Sequence, residues 1–214
     1  RLPVWRYQES NSGHHVHRWR LMWGSRQPSL VIHWLAESSE SVEFTATSAE
    51  TCGGCGLGVG RTTLLVVEPV SGTALCPVCR LGRDPATPTS ALVMAWLPEF
   101  IQGELNLLYT TLTLDILRAQ QADRAFSPGI HWRGELLDSL YARAWSTQRY
   151  LPWTQHRSLL RDTLLALSAA ERASVLPALA GLRYLPTPRH PPLGVFFHRL
   201  LAGLDTADWA MTSR

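Results

Sequence analysis

Apolar residues in the first half of the chain come in short runs, and in the second half they come at helical spacing. Residues 17–23 alternate polar and apolar, 30–35 and 42–47 are rich in β-branched and aromatic residues, and 62–67 is a β-type run bounded by glycines and a proline. Each pattern predicts a short strand between turns. Residues 83–90, with Pro85 and Pro88, predict an extended linker, followed by one more apolar strand over 91–96. A long helix is then expected from Pro98-Glu99 to about Gln121, because proline and an acidic residue both suit a first helical turn. Ile101, Leu105, Leu108, Leu112 and Ile116 follow three-and-four spacing and predict its core stripe. After a loop at Ser127-Pro128-Gly129, helices are expected over 135–151 and 156–167, interrupted at Pro152. Ser168 and Glu171 have the spacing of a capping box, so a further helix begins at Ala169 and ends near Gly181. Pro186, Pro188, Pro191 and Pro192 predict an extended loop, and 195–204, with Phe196 and Phe197, a last helix.

The fold class is therefore α+β: a β-rich module over 1–90 followed by an α-helical region over 91–214. The two are expected to pack as one continuous globular unit. No internal repeat is evident.

The four cysteines of the chain form two C-x₂-C pairs, Cys52/Cys55 and Cys76/Cys79. Thiolates two residues apart reach one metal from a single tight turn, and a second turn completes the tetrahedral four-sulfur shell that zinc favours. Gly53, Gly54, Gly56 and Pro77 are the residues such turns need. Disulfides are disfavoured in a chain with enough apolar content for a core and no signal segment. The expectation is one structural Zn²⁺ held by Cys52, Cys55, Cys76 and Cys79. With four protein ligands the shell is closed, so the metal braces the fold and does not activate water.

At 214 residues and 45% hydrophobic content the chain has material for a proper core. No run of eighteen uninterrupted apolar residues occurs, and residues 1–20 carry charges and histidines in place of an apolar leader, so no membrane insertion and a cytoplasmic location are expected. The net charge is +3, and all twenty cationic residues are arginine. They are scattered along the chain, which adds little to a nucleic-acid reading. Nine tryptophans are the stranger feature. Trp96, Trp132, Trp145 and Trp153 are candidate anchors of a protein-docking face, where large aromatics concentrate binding energy.

Catalytic patterns fail on inspection. Two C-x₂-C pairs among strands resemble the brace of HNH-type nucleases, but that chemistry needs a histidine base and a second metal ligand. Between Cys52 and Cys79 there is no histidine or aspartate, and the single carboxylate is Glu68. His14, His15 and His17 cluster without a Cys, Asp or Glu at matching spacing and read as a solvated strand end. No G-x-S-x-G elbow occurs, and Gly56, Gly58, Gly60 and Arg61 lack the Lys-Ser/Thr of a phosphate loop. The chain is expected to have no enzymatic activity.

The order of features resembles the IcmJ/DotN family of type IVB secretion systems. The resemblance rests on the two cysteine pairs with Thr51 directly before the first, then Trp96-Leu97-Pro98-Glu99, then Gln102 and Leu105-Asn106 leading a long helix. Arg20-Leu21 on an early strand and Arg183-Tyr184-Leu185-Pro186-Thr187 before the last helix extend it over about 20–204. Gly53-Gly54 stand where the family carries an aromatic insertion. The resemblance implies a degenerate, non-catalytic HNH-like zinc fold in a cytoplasmic coupling-complex subunit. Such a subunit docks to a coupling ATPase and a membrane-anchored coupling subunit, helps recruit substrate, and is peripheral to the inner membrane through them. Relatives on IncI-type conjugative plasmids make DNA transfer an equivalent setting. The rival expectation is a zinc-containing large-subunit-like component of a plasmid CRISPR effector complex, binding guide RNA and target DNA. A zinc-ribbon adaptor of another pathway is the third.

Overall fold

Two small antiparallel sheets and the helices packed on them make up the described part of the chain. The computed structural model describes residues 45–59, 65–69, 71–84, 87–122, 128–151, 157–187 and 191–206. The strands expected over 17–23 and 30–35, the His14/His15/His17 group, the Arg20-Leu21 pair and Trp153 lie outside the described residues.

The first sheet has strands β1 (Thr45–Thr47), β2 (Leu65–Val67) and β3 (Ala74–Leu75) in that order. Thr45 pairs with Val67, Thr47 with Leu65, and Val66 with Leu75. Strands this short bury little by themselves. Leu65 and Leu75 are nevertheless fully buried, because they share a hydrophobic cluster with the cysteine turns and with residues of the helices. Helix α1 (Pro77–Leu81) follows β3 directly, with Pro77 in the first turn, and buries Val78, Cys79 and Leu81. Five residues are too few for a 3.6-residue period to register, so the hydrophobic pattern gives no sign of this helix.

Strand β4 (Leu92–Trp96) stands where a strand is expected, but its partner β5 (Leu182–Pro186) corrects the sequence reading, which has no strand there. The register runs from Leu92↔Pro186 through Met94↔Tyr184 to Trp96↔Leu182. Pro186 is the last residue of β5, a position where the missing N–H costs the ladder little. Both faces of this two-stranded sheet are covered, in period two. Met94, Leu182 and Tyr184 pack with Leu160, Leu164 and Leu179. Ala95, Leu97 and Leu185 pack with Leu105, Leu140 and Ala144 on the other side.

Helix α2 (Gln102–Gln121) begins later than expected. Pro98 and Glu99 lie in a turn closed by the Phe100 N–H on the Leu97 carbonyl at 3.2 Å. The helix starts where Glu104 accepts the Ile101 N–H at 3.4 Å. Of the expected stripe, Leu105 and Leu112 are buried, Leu108 and Ile116 are half-buried, and Ile101 is exposed. A second buried line, Asn106, Tyr109 and Thr110, adjoins the first and widens the buried face of the same helix.

Helix α3 (Pro128–Tyr150) begins at Pro128 and not at Glu135, since proline suits the first helical turn. Helices α4 (Arg157–Ala166) and α5 (Ala169–Leu179) follow. The capping box before α5 is formed in both directions, Glu171 N–H to Ser168 Oγ at 3.3 Å and Ser168 N–H to Glu171 Oε2 at 2.9 Å. Helix α6 (Pro191–Thr206) starts earlier than 195, with Pro191 and Pro192 in its first turn. Its Phe196 and Phe197 rings lie 5.1 Å apart, and Phe197 is 6.1 Å from Tyr109 of α2. One hydrophobic cluster runs from Cys52, Val59 and Leu65 through Tyr109 to Leu193, Leu200 and Leu201, so both halves of the chain share a core. Among the described residues no helix is long and apolar enough to cross a membrane.

Candidate metal centre

The first cysteine turn is closed by backbone bonds. The Gly56 N–H donates to the Cys52 carbonyl at 2.8 Å and the Cys52 N–H to the Leu57 carbonyl at 2.9 Å. Gly56 has φ +77°, which an L side chain rarely adopts. The Gly53 N–H reaches the Ala74 carbonyl at 2.8 Å, docking this turn on β3. The second turn uses the start of α1: Cys76 is the residue before the helix, Cys79 lies inside it, and the Arg80 N–H closes on the Cys76 carbonyl at 2.9 Å.

The two turns bring four sulfurs together, all within 4.8 Å of one another. The Cys55 and Cys76 sulfurs are 3.9 Å apart. A tetrahedral shell with metal–sulfur bonds of about 2.3 Å places neighbouring sulfurs about 3.8 Å apart, so the residues fit one ion. All four cysteines are free thiols; Cys52, Cys76 and Cys79 are buried and Cys55 is half-buried. Among the described residues no other group of three or more His, Cys, Asp or Glu side chains converges in this way.

Sulfurs this close cannot all ionise without a cation between them. Hydrogen bonds from Cys55, Cys76 and Cys79 hold Cys52 below the ordinary thiol range. Cys76 and Cys79 are pushed above it by their hydrogen bonds to Cys52 and Cys55 and by burial. A divalent ion held there would supply the missing positive charge and let all four sulfurs ligate as thiolates.

Two N–H donors already point at the sulfurs. The Cys76 backbone N–H donates to Cys52 Sγ at 3.2 Å. The Asn106 side-chain amide donates to Cys79 Sγ at 3.2 Å and to the Tyr184 hydroxyl at 3.0 Å. Gln102, one turn earlier on α2, donates to Asn106 Oδ1 at 2.8 Å. It also brackets the Tyr184 backbone, donating to its carbonyl at 3.0 Å and accepting its N–H at 3.1 Å. Tyr184 donates its hydroxyl toward the Val78 and Cys79 carbonyls of α1, at 3.3 and 3.2 Å. Burial, with the Cys79 sulfur nearby, keeps that hydroxyl protonated. The cluster is thus wired to β5 through α2.

Close approach makes this wiring possible. A Cβ at Gly103 would collide with the Gly54 carbonyl oxygen, so α2 rests directly on the first cysteine turn.

The sequence reading singles out the four cysteines, and the structure brings them together. Gln102 and Asn106 enter the sequence reading only through a family resemblance, and no metal-ligand spacing marks them. Their local signal is a pair of amides at i,i+4 spacing in the first turns of the long helix. Trp96 is 37% exposed, Trp132 49% and Trp145 69%. Trp132 and Trp145 lie about 140° apart around α3 and so face different directions. The Arg133 guanidinium stacks 4.7 Å from the Trp132 ring centroid.

Compared with known proteins, the chain matches no family model and no curated sequence.

Proposed function

We propose that this chain is a non-catalytic zinc protein that serves as a subunit of a type IV secretion or conjugation coupling complex. Zinc is the ion that four thiolates in a tetrahedral shell select most readily in a folded protein. The observation that carries the structural role is the closed donor set. Four sulfurs converge, and the polar groups around them, the Cys76 N–H and the Asn106 amide, donate to sulfur. Four cysteine ligands leave no protein-supplied opening for water or substrate, so the ion acts as a brace.

The assembly role rests on the resemblance in the order of the cysteine pairs, the Leu97-Pro98-Glu99 turn and the Gln102/Asn106 helix. In this reading the partners are a coupling ATPase and a membrane-anchored coupling subunit, and the chain is a cytoplasmic protein held at the inner membrane by them. Exposed tryptophans, Trp145 above all, support a docking role. The described arginines favour this over the nucleic-acid reading, because many guanidinium groups already tie the fold together. Arg80 pairs with Asp84, Arg83 with Glu68 and Arg133 with Asp115, each at 2.7 Å, and Arg143 pairs with Glu99. Arg183 donates to the Phe100, Ala180 and Leu182 carbonyls.

The test is co-expression of the full chain with a coupling ATPase and membrane-anchored coupling subunit encoded beside it, followed by size-exclusion chromatography. A stable complex, weakened by Trp145→Ala, is expected. No complex, together with tight nucleic-acid binding that collapses steeply with salt, would replace this reading with the nucleic-acid one.

A further inference from the structure

We propose that Asn106 is a positioning residue of the metal centre. Its side-chain amide orients and electrostatically supports the Cys79 thiolate and ties that ligand to strand β5. The inference rests on the reading of the four cysteines as a metal site.

Asn106 is 2% exposed, on a helix whose neighbouring buried residues are Leu105, Tyr109 and Leu112. A buried amide is costly unless its hydrogen-bonding capacity is used. Here both kinds of atom are used: Nδ2 donates to Cys79 Sγ and to the Tyr184 hydroxyl, and Oδ1 accepts from Gln102. Packing alone would be served by leucine. Linking Tyr184 and Gln102 alone would not require a donor aimed at sulfur. Four thiolates around a divalent ion carry a net charge of −2 in a buried place, and N–H donors to sulfur are the means a protein has of spreading it. The Cys76 N–H does this for Cys52, and the Asn106 amide does it for Cys79.

The pairing has a second consequence. Cys79 sits on α1, Asn106 on α2 and Tyr184 on β5, three elements from distant parts of the chain. Filling the sulfur cage fixes the acceptor of the Asn106 bond, so metal loading consolidates the α2–β5 junction as well as the cysteine turns.

Cobalt(II) reports on the sulfur directly. The full chain loaded with cobalt is expected to show the d–d and sulfur-to-metal charge-transfer bands of a four-thiolate tetrahedral site. Withdrawing an N–H donor makes the sulfur more electron-rich. Asn106→Leu is therefore expected to move the charge-transfer band to longer wavelength and to weaken metal binding about 10–100-fold. Tyr184→Phe removes the other partner of the same amide and leaves the N–H···S bond, so the band is expected to stay in place. An unchanged band and affinity in Asn106→Leu, with a normal wild-type spectrum, would overturn the role of Asn106 alone. A wild-type chain that shows no four-thiolate spectrum would take down the metal site and this inference together.

A measurement on the wild type covers the case in which Asn106→Leu does not fold. In the chain loaded with cadmium-113, couplings transmitted across N–H···S bonds are expected from the metal to the Cys76 backbone proton and to an Asn106 side-chain proton. Both bonds are 3.2 Å long, so the first is the control for the second. A Cys76 coupling without one from Asn106 would contradict the proposal.

Discussion

The backbone N–H of Cys76 lies 3.2 Å from the sulfur of Cys52, twenty-four residues earlier, and donates to it. The start of the second cysteine turn is thus bonded to a ligand of the first. Closing that loop costs chain entropy, and the short strands within it offset little of the cost. An ion bound by both turns would supply the difference.

Cys52→Ser removes a ligand and the acceptor of this bond. Metal content is expected to fall to a small fraction of the wild-type value, measured by elemental analysis. The two clusters around β4 and β5 contain no cysteine. Circular dichroism is therefore expected to retain much of the helical signal, while the packing of Phe196 and Phe197 against the cysteine turns loosens.

Metal binding is expected to release protons. In the metal-free set Cys76 and Cys79 are held above the ordinary thiol range, so they are protonated at neutral pH and must lose those protons to ligate. Affinity therefore rises with pH and falls as acid restores the thiols. Titrating zinc into the apo chain in weak buffer should acidify the solution, and a pH-independent affinity would contradict the protonation of Cys76 and Cys79 in the apo chain.

Two glycines predict opposite outcomes. At Gly103 a methyl group meets the Gly54 carbonyl, and Gly103→Ala is expected to destabilise the fold by about 1–3 kcal/mol, the usual range for overpacking. At Gly134, inside α3, a Cβ meets nothing within 4 Å. Gly134→Ala is expected to stabilise by about 0.5–1 kcal/mol through helix propensity. Denaturant unfolding of both variants checks the pair.

What was legible in the sequence follows the length and regularity of each signal. The cysteine spacing, strand β4 and the Ser168/Glu171 cap were readable because each is a local rule satisfied by a few residues. Strand β5 is not, because its identity comes from Met94↔Tyr184 and its neighbours across a gap of ninety residues, while Pro186 and the prolines that follow it mimic a loop. Helix α1 is shorter than two turns, and its only mark is Pro77. The start of α2 is not where Pro98 and Glu99 point: they suit a helical first turn, yet Leu97 donates its N–H to the Gly181 carbonyl at 2.8 Å and holds that stretch as a turn on the sheet. Asn106 was hidden for the same reason as β5: a buried amide acquires meaning from partners on α1 and β5.

The cap of α5 gives a prediction that involves neither metal nor partner. Ser168→Ala is expected to cost about 1 kcal/mol and to raise amide exchange at the start of that helix. Hydrogen bonds from Ser168, first its side chain and then its backbone, hold Glu171 below the ordinary carboxylate value. Its contribution is therefore present at neutral pH and is lost as the pH falls through that lowered value. Exchange at the first turn of α5 should rise in acid relative to a Glu171→Gln variant.

The central claim is a single ion enclosed by sulfur, and zinc-edge X-ray absorption of the purified full chain tests it most directly. The expected result is one zinc per chain in a shell of four sulfurs at about 2.3 Å. A sample without bound metal, or a shell in which nitrogen or oxygen replaces sulfur, would contradict it.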